Sequence, residues 1–151
     1  MGVGNTYSFK ALTGVLVNPV FGVTVPLTGG NIGAGQFGIA MASERTMHDV
    51  AADGTVMPSY VSANNGTLTV EAQESSVLHT AFLSLYNQAV LAAEADDVSG
   101  WAATVINFRM LTDGSQHTLS GVSFQKFPDK PYAAHGQRVT WTLMAADIQN
   151  S

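Results

Sequence analysis

The sequence predicts a mainly β protein, a β-sandwich or barrel with one flanking α-helix, folded as a single domain over residues 1–151. Only the window 76–93 repeats its apolar residues at the i, i+3, i+4 spacing of an amphipathic helix. Elsewhere, short alternating or continuous apolar runs end at Gly, Pro, Asn or Asp, which is the pattern of strands and turns. A chain of 151 residues is long enough to bury one core, and no linker or internal repeat divides it.

Short apolar runs predict strands on both sides of the helix. They cover residues 6–9, 12–17, 20–25, 38–43, 46–52, 55–61, 67–72, 104–111, 116–127 and 139–145. The Gly-rich segment 27–37 predicts a loop or a long turn between two of these runs. Asp53-Gly54 and Asn65-Gly66 have the composition of two-residue hairpin turns. Residues 46–72 are therefore expected to form a meander of strands that leads directly into the helix.

The predicted helix carries one apolar stripe with a candidate N-cap in front of it. The stripe consists of Leu78, Ala81, Phe82, Leu85, Tyr86, Ala89 and Val90. Ser75 or Ser76 can supply the N-cap oxygen, and burial of each large stripe residue contributes roughly 1.5–3 kcal/mol. His79 lies off the stripe, so it is expected at the surface or the rim of the core, as is His117 on a strand.

The charge content constrains the surface and the partners of the protein. Six Lys and Arg against eleven Asp and Glu give a net charge of -5, and no basic cluster occurs, which disfavours conventional nucleic-acid binding. Only 11% of the residues are charged, against about 25% in a typical soluble domain. Interface cores are depleted in charge, which favours a subunit covered by its neighbours over a monomer wetted by uncharged polar residues. No apolar run is long enough to span a bilayer.

No residue pattern nominates catalytic chemistry, a cofactor or a metal. Residues 33–38 match the Gly-x-Gly-x-x-Gly of dinucleotide sites, but the run that follows is too short for the helix that such a site requires. The four His are not at ligand spacing, and the chain has no Cys. Nucleophile elbows and phosphate loops are both absent from the sequence. We therefore expect a protein that is not an enzyme and binds no cofactor or metal.

A series of short motifs follows one order along nearly the whole chain. The motifs are Asn5-Thr6-Tyr7-Ser8-Phe9, Thr46-Met47, Ala52-Asp53-Gly54-Thr55-Val56-Met57, Gly66-Thr67-Leu68-Thr69-Val70, Leu83-Ser84-Leu85-Tyr86-Asn87, Phe127-Pro128-Asp129-Lys130-Pro131-Tyr132-Ala133 and Val139-Thr140-Trp141. Their shared order resembles that of the tail tube proteins of contractile-tailed phages, a family of phage structural proteins. The resemblance covers the predicted strands and the helix alike.

The resemblance implies a structural subunit without catalytic residues. Six copies would form a ring, adjacent strands of all six would line a channel, and stacked rings would form a tube that conducts DNA inside a contractile sheath. The implied partners are further copies of the chain, the sheath, the baseplate and tail terminator proteins, and DNA that passes without sequence-specific binding. The implied location is the virion, after assembly in the cytoplasm of a bacterial host, with no membrane involved.

Strand alternation and the resemblance together nominate two sets of site residues. The polar face of the meander is expected to line the channel, with Asp49, Thr67, Thr69 and Glu71 as its candidates. The Gly-rich segment is the candidate contact between subunits or rings, through Gly29, Gly30, Asn31, Ile32, Gly33, Ala34 and Gly35. The alternatives are that Thr69 and Glu71 face outer solvent or the sheath, and that the Gly-rich segment is an ordinary surface loop.

Three other functions remain open on the sequence. The chain could form the tube of a contractile bacteriocin or secretion device, which carries no genome. It could be another ring-forming tail protein, such as a tail terminator or baseplate protein, which does not polymerise. A small-ligand-binding β-barrel is the alternative of a different class, and it would require a concave pocket with convergent polar groups.

Overall fold

The computed structural model describes residues 12–27, 34–129 and 134–151 of the chain. In these ranges the chain is mainly β with one helix, as the sequence predicts. The elements are β1 (Leu12–Asn18), β2 (Val23–Pro26), β3 (Ala34–Met41), β4 (Thr46–Val50), β5 (Val56–Tyr60), β6 (Gly66–Gln73), α1 (Val77–Glu94), β7 (Thr104–Met110), β8 (Gln116–Phe124), β9 (Arg138–Ala145) and β10 (Asp147–Asn150). The strand predicted over residues 6–9 lies outside the described ranges.

The main sheet folds into two packed layers that β8 joins. Its strand order is β2-β1-β7-β8-β9-β6-β3, and β10 also pairs with β8. The start of β8 pairs with β7 and β10, whereas Ser123 and Phe124 at its end pair with β9. Between these two parts β8 has one extra residue opposite β7, and Gly121 adopts a φ of 61°. This bulge bends the strand from one layer into the other, which gives a sandwich and not a closed barrel.

Each layer turns one face to a shared core. The β6 layer consists of β3, β6, β9 and the end of β8, and the β7 layer consists of β2, β1, β7, the start of β8 and β10. Phe37 of β3 meets Phe108 of β7 across the core with ring centroids 5.1 Å apart. The helix contacts β2 and β6, one strand from each layer, and so covers one open side of the sandwich.

The helix begins and packs as its sequence predicts. Ser76 is the N-cap, and its hydroxyl accepts a hydrogen bond from the backbone N–H of His79 at 3.1 Å. Its stripe buries Leu78, Phe82, Leu85 and Ala89, and it half-buries the remaining stripe residues. The stripe predicted from the apolar spacing is therefore the face that packs against the sheet.

The prediction for His79 was wrong, because this residue belongs to the core. Its side chain is only 2% exposed, and Trp141 Nε1 donates a hydrogen bond to His79 Nδ1 at 3.0 Å. A Trp N–H is a donor only, so His79 accepts through an unprotonated Nδ1. His117 is half-buried, with its Nδ1 2.6 Å from Asn150 Oδ1. A helical wheel assigns histidine by polarity alone and cannot show that a tryptophan donor lies opposite.

Three predicted segments, the loop over 27–37, the strand over 20–25 and the turn at Asn65-Gly66, differ in the structure. Ala34 to Phe37 belong to β3 and not to a loop, and residues 19–22 form a turn before the short strand β2. Gly66 is the first residue of β6 and pairs with Met41 and Ala145, so Asn65-Gly66 is not a hairpin turn. The predicted meander was therefore wrong, because β6 pairs with β3 and β9, whereas in the described part of the chain β4 and β5 pair only with each other. The sequence prediction also missed β10, whose four residues are too short for a periodic signal.

The hydrogen bond between Trp141 and His79 gives the first prediction. Trp141→Phe removes the donor and part of the core volume, so we expect a loss of about 1–3 kcal/mol in the free energy of unfolding. The matched control is Trp101→Phe, since Trp101 is only half-buried. Urea unfolding followed by circular dichroism measures both. An equal loss in the two variants would contradict the role assigned to this hydrogen bond.

The position of Gly66 inside the sheet gives the second prediction. A Cβ atom at this residue would overlap the backbone oxygen of Ala40 and lie 2.7 Å from Cδ1 of Ile148. Gly66→Ala is therefore expected to destabilise the fold by about 1–3 kcal/mol. At Gly38, the nearest atom to an added Cβ is 3.9 Å away, so Gly38→Ala serves as the control and should change stability little. Thermal unfolding of both variants tests the difference.

Candidate functional site

The outer face of the β6 layer brings three of the four predicted channel residues together. Thr67, Thr69 and Glu71 alternate with buried residues along β6 and point away from the core. The structure adds neighbours that the sequence prediction did not include: Thr69 pairs with Thr142, and Glu71 pairs with Thr140. We call this surface, formed by Thr67, Thr69, Glu71, Thr140 and Thr142, the threonine face. Its hydroxyl groups offer hydrogen bonds without charge.

The one acidic residue of the threonine face is paired with an arginine. Arg138 Nη1 donates to Glu71 Oε1 at 2.8 Å, and the two side chains are 55% and 29% exposed. Exposed ion pairs stabilise a fold by only about 0–1 kcal/mol, so the effect of this contact is mainly on the local charge. The pair leaves the threonine face close to neutral, which the sequence did not reveal because these residues are far apart in the chain.

Asp49 does not lie on the threonine face. It is part of β4, which among the described strands pairs with β5 alone, in a separate two-stranded sheet. The grouping of Asp49 with Thr67 depended on the predicted meander, and the structure contradicts that meander. Asp49 therefore lies on a different surface from Thr67, Thr69 and Glu71, and the prediction that grouped them was wrong in this respect.

The two-stranded sheet of β4 and β5 forms an arm, residues 46–60, that the rest of the described chain does not cover. All five residues of each strand are exposed. Several of the exposed side chains are large and apolar, with Tyr60 at 78% and Val50 at 62% exposure. Each strand is roughly 17 Å long at 3.3–3.4 Å per residue. Exposed apolar side chains of this kind mark interaction sites, so the arm is a candidate contact surface.

The tip of the arm is a preformed turn at Asp53-Gly54. Gly54 has a φ of 89°, and Asp53 Oδ1 accepts from the backbone N–H of Thr55 at 2.9 Å. Hydrogen bonds from the side chain and the backbone of Thr55 lower the pKa of Asp53. A lowered carboxyl pKa stabilises the turn at neutral pH, and this contribution is lost as the pH falls through that pKa. The hairpin predicted from Asp53-Gly54 is confirmed.

The predicted contact residues fall only partly within the described structure. Gly29, Gly30, Asn31, Ile32 and Gly33 lie outside the described ranges. Ala34 and Gly35 begin β3, with a bulge in the pairing to β6 between Ala34 and Gln36. Among the described strands β3 is at the end of the sheet, and its eight residues include no charged residue and no proline. Uncharged strands without proline are the kind that pair readily with another strand.

The described residues present little that suggests ligand chemistry. No group of three or more His, Asp or Glu side chains in these ranges is arranged to hold a metal ion. No described helix is long and apolar enough to cross a membrane. The space between the layers is occupied by fully buried side chains such as Trp141, Phe82 and Leu119. The candidate functional surfaces in these ranges are therefore the threonine face, the arm and the edge strand β3.

Comparison with known proteins gives a family and a set of similar folds. The model of the family described as bacteriophage PhiTE tail tube protein matches residues 4–151. A comparison with curated proteins gave no match. Among solved structures, the sheath/tube terminator of the extracellular contractile injection system PVC, in its extended state, has a TM-score of 0.58 at 9% identity. The alignment covers 99% of each chain.

Two further structures have similar scores. The cap that terminates the tube of the anti-feeding prophage has a TM-score of 0.55 at 10% identity, with 100% of this chain and 94% of that chain aligned. The PVC sheath–tube complex in the extended state contains a chain with the same TM-score and identity, aligned over 99% of this chain and 93% of that chain. At these identities the similarity establishes the fold alone, and the fold is that of tube and terminator proteins.

Proposed function

Because the chain belongs to the bacteriophage PhiTE tail tube protein family, we propose that copies of it form hexameric rings that stack into the hollow tube of a contractile phage tail. Family membership makes the chain a structural component of the virion tail. The ring, the stacking and the conduction of DNA are our proposal. We also propose that residues 1–151 act as a single domain without catalytic activity.

The arm is the observation that carries the proposal. Its ten strand residues are exposed in the isolated chain, although many of them are apolar. Hydrogen bonds from Thr55 to Asp53 and from Gly54 to Ala51 close the turn at its tip, so the hairpin is already formed in the single chain. A preordered apolar arm loses little conformational entropy on binding, which suits repeated association with identical subunits. We propose that the arm of each copy binds a second copy of the chain.

The two faces of the arm differ in chemistry, and one of them suits burial better. Directly paired residues share a face, so Thr46, His48 and Val50 lie with Tyr60, Pro58 and Val56. We call this the valine face. The opposite face carries Met47, Asp49, Met57 and Ser59. Burial of the Asp49 carboxylate would be costly, whereas the valine face of the arm has no acidic group. We propose that the valine face is the one that contacts the second copy.

The edge strand β3 offers the contact within a ring. Its eight residues lack charge and proline, and β6 already occupies its inner side. Pairing of this edge with a strand of the next copy would extend the β6 layer around the ring. The threonine face would then point toward one side of a continuous sheet. This arrangement retains Ala34 and Gly35 as contact residues.

We propose that the threonine face lines the channel through Thr67, Thr69 and Glu71, together with Thr140 and Thr142. DNA is retained by clustered Lys and Arg, because neutralised phosphates release counterions. The threonine face offers hydroxyl groups and an arginine already paired with Glu71. Such a surface lets phosphates pass without holding them. The chain would thus conduct DNA without sequence-specific binding.

The assemblies that contain the similar structures suggest further partners for this chain. These structures are described as a sheath/tube terminator, a tube-terminating cap, a sheath–tube complex and a baseplate. We propose that the chain likewise contacts a sheath around the tube, a baseplate at one end and a terminator at the other. Assembly would take place in the cytoplasm of the bacterial host. A bacteriocin or secretion tube would use the same contacts without DNA.

A tail terminator is the second candidate function. The similarity to the PVC sheath/tube terminator, aligned over 99% of both chains, favours it. A terminator forms one ring and stops, whereas a tube protein polymerises through both faces of the ring. Electron microscopy of the purified chain over a range of concentrations separates the two: stacked rings of growing length support the tube, and single rings support the terminator.

The valine face gives the third prediction. Val56→Lys places a charge within that face, so we expect the concentration needed for ring or tube formation to rise at least about tenfold, which corresponds to roughly 1.4 kcal/mol. Met57→Lys is the matched control, since the neighbouring residue points to the opposite face. Light scattering and negative-stain microscopy measure both. A stronger effect of Met57→Lys would assign the contact to the opposite face of the arm.

The threonine face gives the fourth prediction. Thr142→Lys adds a cation to the channel surface, so virions with this variant should form tails of normal length but deliver DNA at least about tenfold less efficiently. Thr142 is preferred to Glu71 because a lysine at residue 71 would also repel Arg138. The control is Thr118→Lys, an exposed position on β8 in the other layer. Normal DNA delivery by Thr142→Lys virions, with a defect in Thr118→Lys virions, would place the channel at the β7 layer.

A further inference from the structure

Backbone hydrogen bonds and the side chain of Arg45 connect the two sides of the base of the arm. Arg45 immediately precedes β4, and its backbone oxygen accepts from the N–H of Val61, which follows β5, at 2.8 Å. The Arg45 guanidinium donates through Nη1 to the backbone oxygen of Val61 at 3.4 Å and through Nη2 to Oδ1 of Asn64. Arg45 therefore contacts Val61 and Asn64, which lie near the two ends of the segment 61–65 between the arm and β6.

Asn64 connects this contact to the core. Its backbone oxygen accepts from the N–H of Ile148 at 2.8 Å, and Ile148 on β10 is 1% exposed. Asn65, the next residue, accepts from the N–H of Ala42 at 3.0 Å, on the other connection of the arm. The hydrogen bonds thus lead from the arm through Arg45 and Asn64 to a strand that is anchored in the core.

The connections on both sides of the arm have no regular secondary structure. Residues 42–45 lead into β4, and residues 61–65 lead from β5 to β6. Chain segments of this kind can rotate unless other contacts hold them, and no side chain of the two arm strands is buried against the body. The direction of the arm must therefore be determined at its base.

We propose that Arg45 is a positioning residue that fixes the direction in which the arm leaves the two-layered body. The fixed direction presents the valine face to a second copy of the chain, so that subunit association depends on a residue outside that face. This last step rests on the proposed function, whereas the effect on the arm itself does not. Arginine suits the role because its planar, forked guanidinium reaches two acceptors at once, which a lysine ammonium on a flexible stem does less well.

The test measures the direction of the arm in the subunit directly. The chain has no cysteine, so Ala52→Cys at the tip of the arm and Gln88→Cys on the exposed side of α1 can be spin-labelled without background. Labelled protein is diluted with unlabelled protein to remove distances between subunits. Double electron–electron resonance should give a narrow distribution of the distance between the two labels when Arg45 is present. We expect Arg45→Ala to increase the width of this distribution at least about twofold.

Three further variants make the outcome specific to the contact. Asn64→Ala removes the Oδ1 acceptor and should broaden the distribution as well, and the double variant should add little, because both changes remove the same contact. Arg45→Lys should fall between wild type and Arg45→Ala. Arg109→Ala removes an exposed arginine on β7, outside the arm, and should leave the distribution unchanged. The proposal is overturned if the distance distribution of Arg45→Ala is as narrow as that of the chain with Arg45 and the variant melts at the same temperature as the Arg109→Ala control.

Tube formation by the same variants, without the labels, tests the second step. We expect Arg45→Ala to raise the concentration required for assembly at least about threefold, with partial recovery in Arg45→Lys. If Arg45→Ala broadens the distance distribution but leaves the concentration required for assembly unchanged, Arg45 sets the direction of the arm in the subunit and has no effect on association. If the wild-type chain forms no rings at any concentration, the proposed function fails, while the distance distributions still decide whether Arg45 sets the direction of the arm.

Discussion

The register between β6 and β9 is the constraint on which the rest of the structure depends. Val70 pairs with Trp141, and both side chains point into the core, whereas the adjacent pair of Thr69 and Thr142 points outward. Because side chains alternate along a strand, a slip of one residue would expose the tryptophan and bury the threonines. The hydrogen bond from Trp141 to His79 also joins this register to the helix. One pairing therefore determines the core and the outer threonine face together.

Features with a local cause could be predicted from the sequence. The helix, its cap at Ser76 and the turn at Asp53-Gly54 each depend on residues within a few positions, and the structure confirms all three. The outward direction of Thr67, Thr69 and Glu71 was also correct, because it follows from alternation within one strand. Pairing between distant strands has no local signal. The meander was wrong for that reason: it required β5 to pair with β6, a place that β3 and β9 occupy.

The same limit explains which site residues the sequence could not identify. Thr140 and Thr142 are separated from β6 by the helix and two strands, so only the observed register places them beside Glu71 and Thr69. The partner of Glu71, Arg138, lies 67 positions away and is equally invisible in the sequence. Asp49 was assigned to the same surface because the predicted meander placed its strand in one sheet with β6, whereas the structure places it in the separate sheet of the arm. Long-range pairing, and not residue type, determines the composition of the candidate channel surface.

The low charge content of the chain is explained by the composition of three of its surfaces. Uncharged residues dominate strand β3, the valine face of the arm and the threonine face. Exposed apolar residues favour aggregation of a monomer, so surfaces of this composition are better suited to contact with partners. A subunit enclosed by neighbours around a channel requires contacts on more than one side and a lining that does not bind phosphate. The proposed assembly of identical subunits would explain the low charge content and the uncovered arm together.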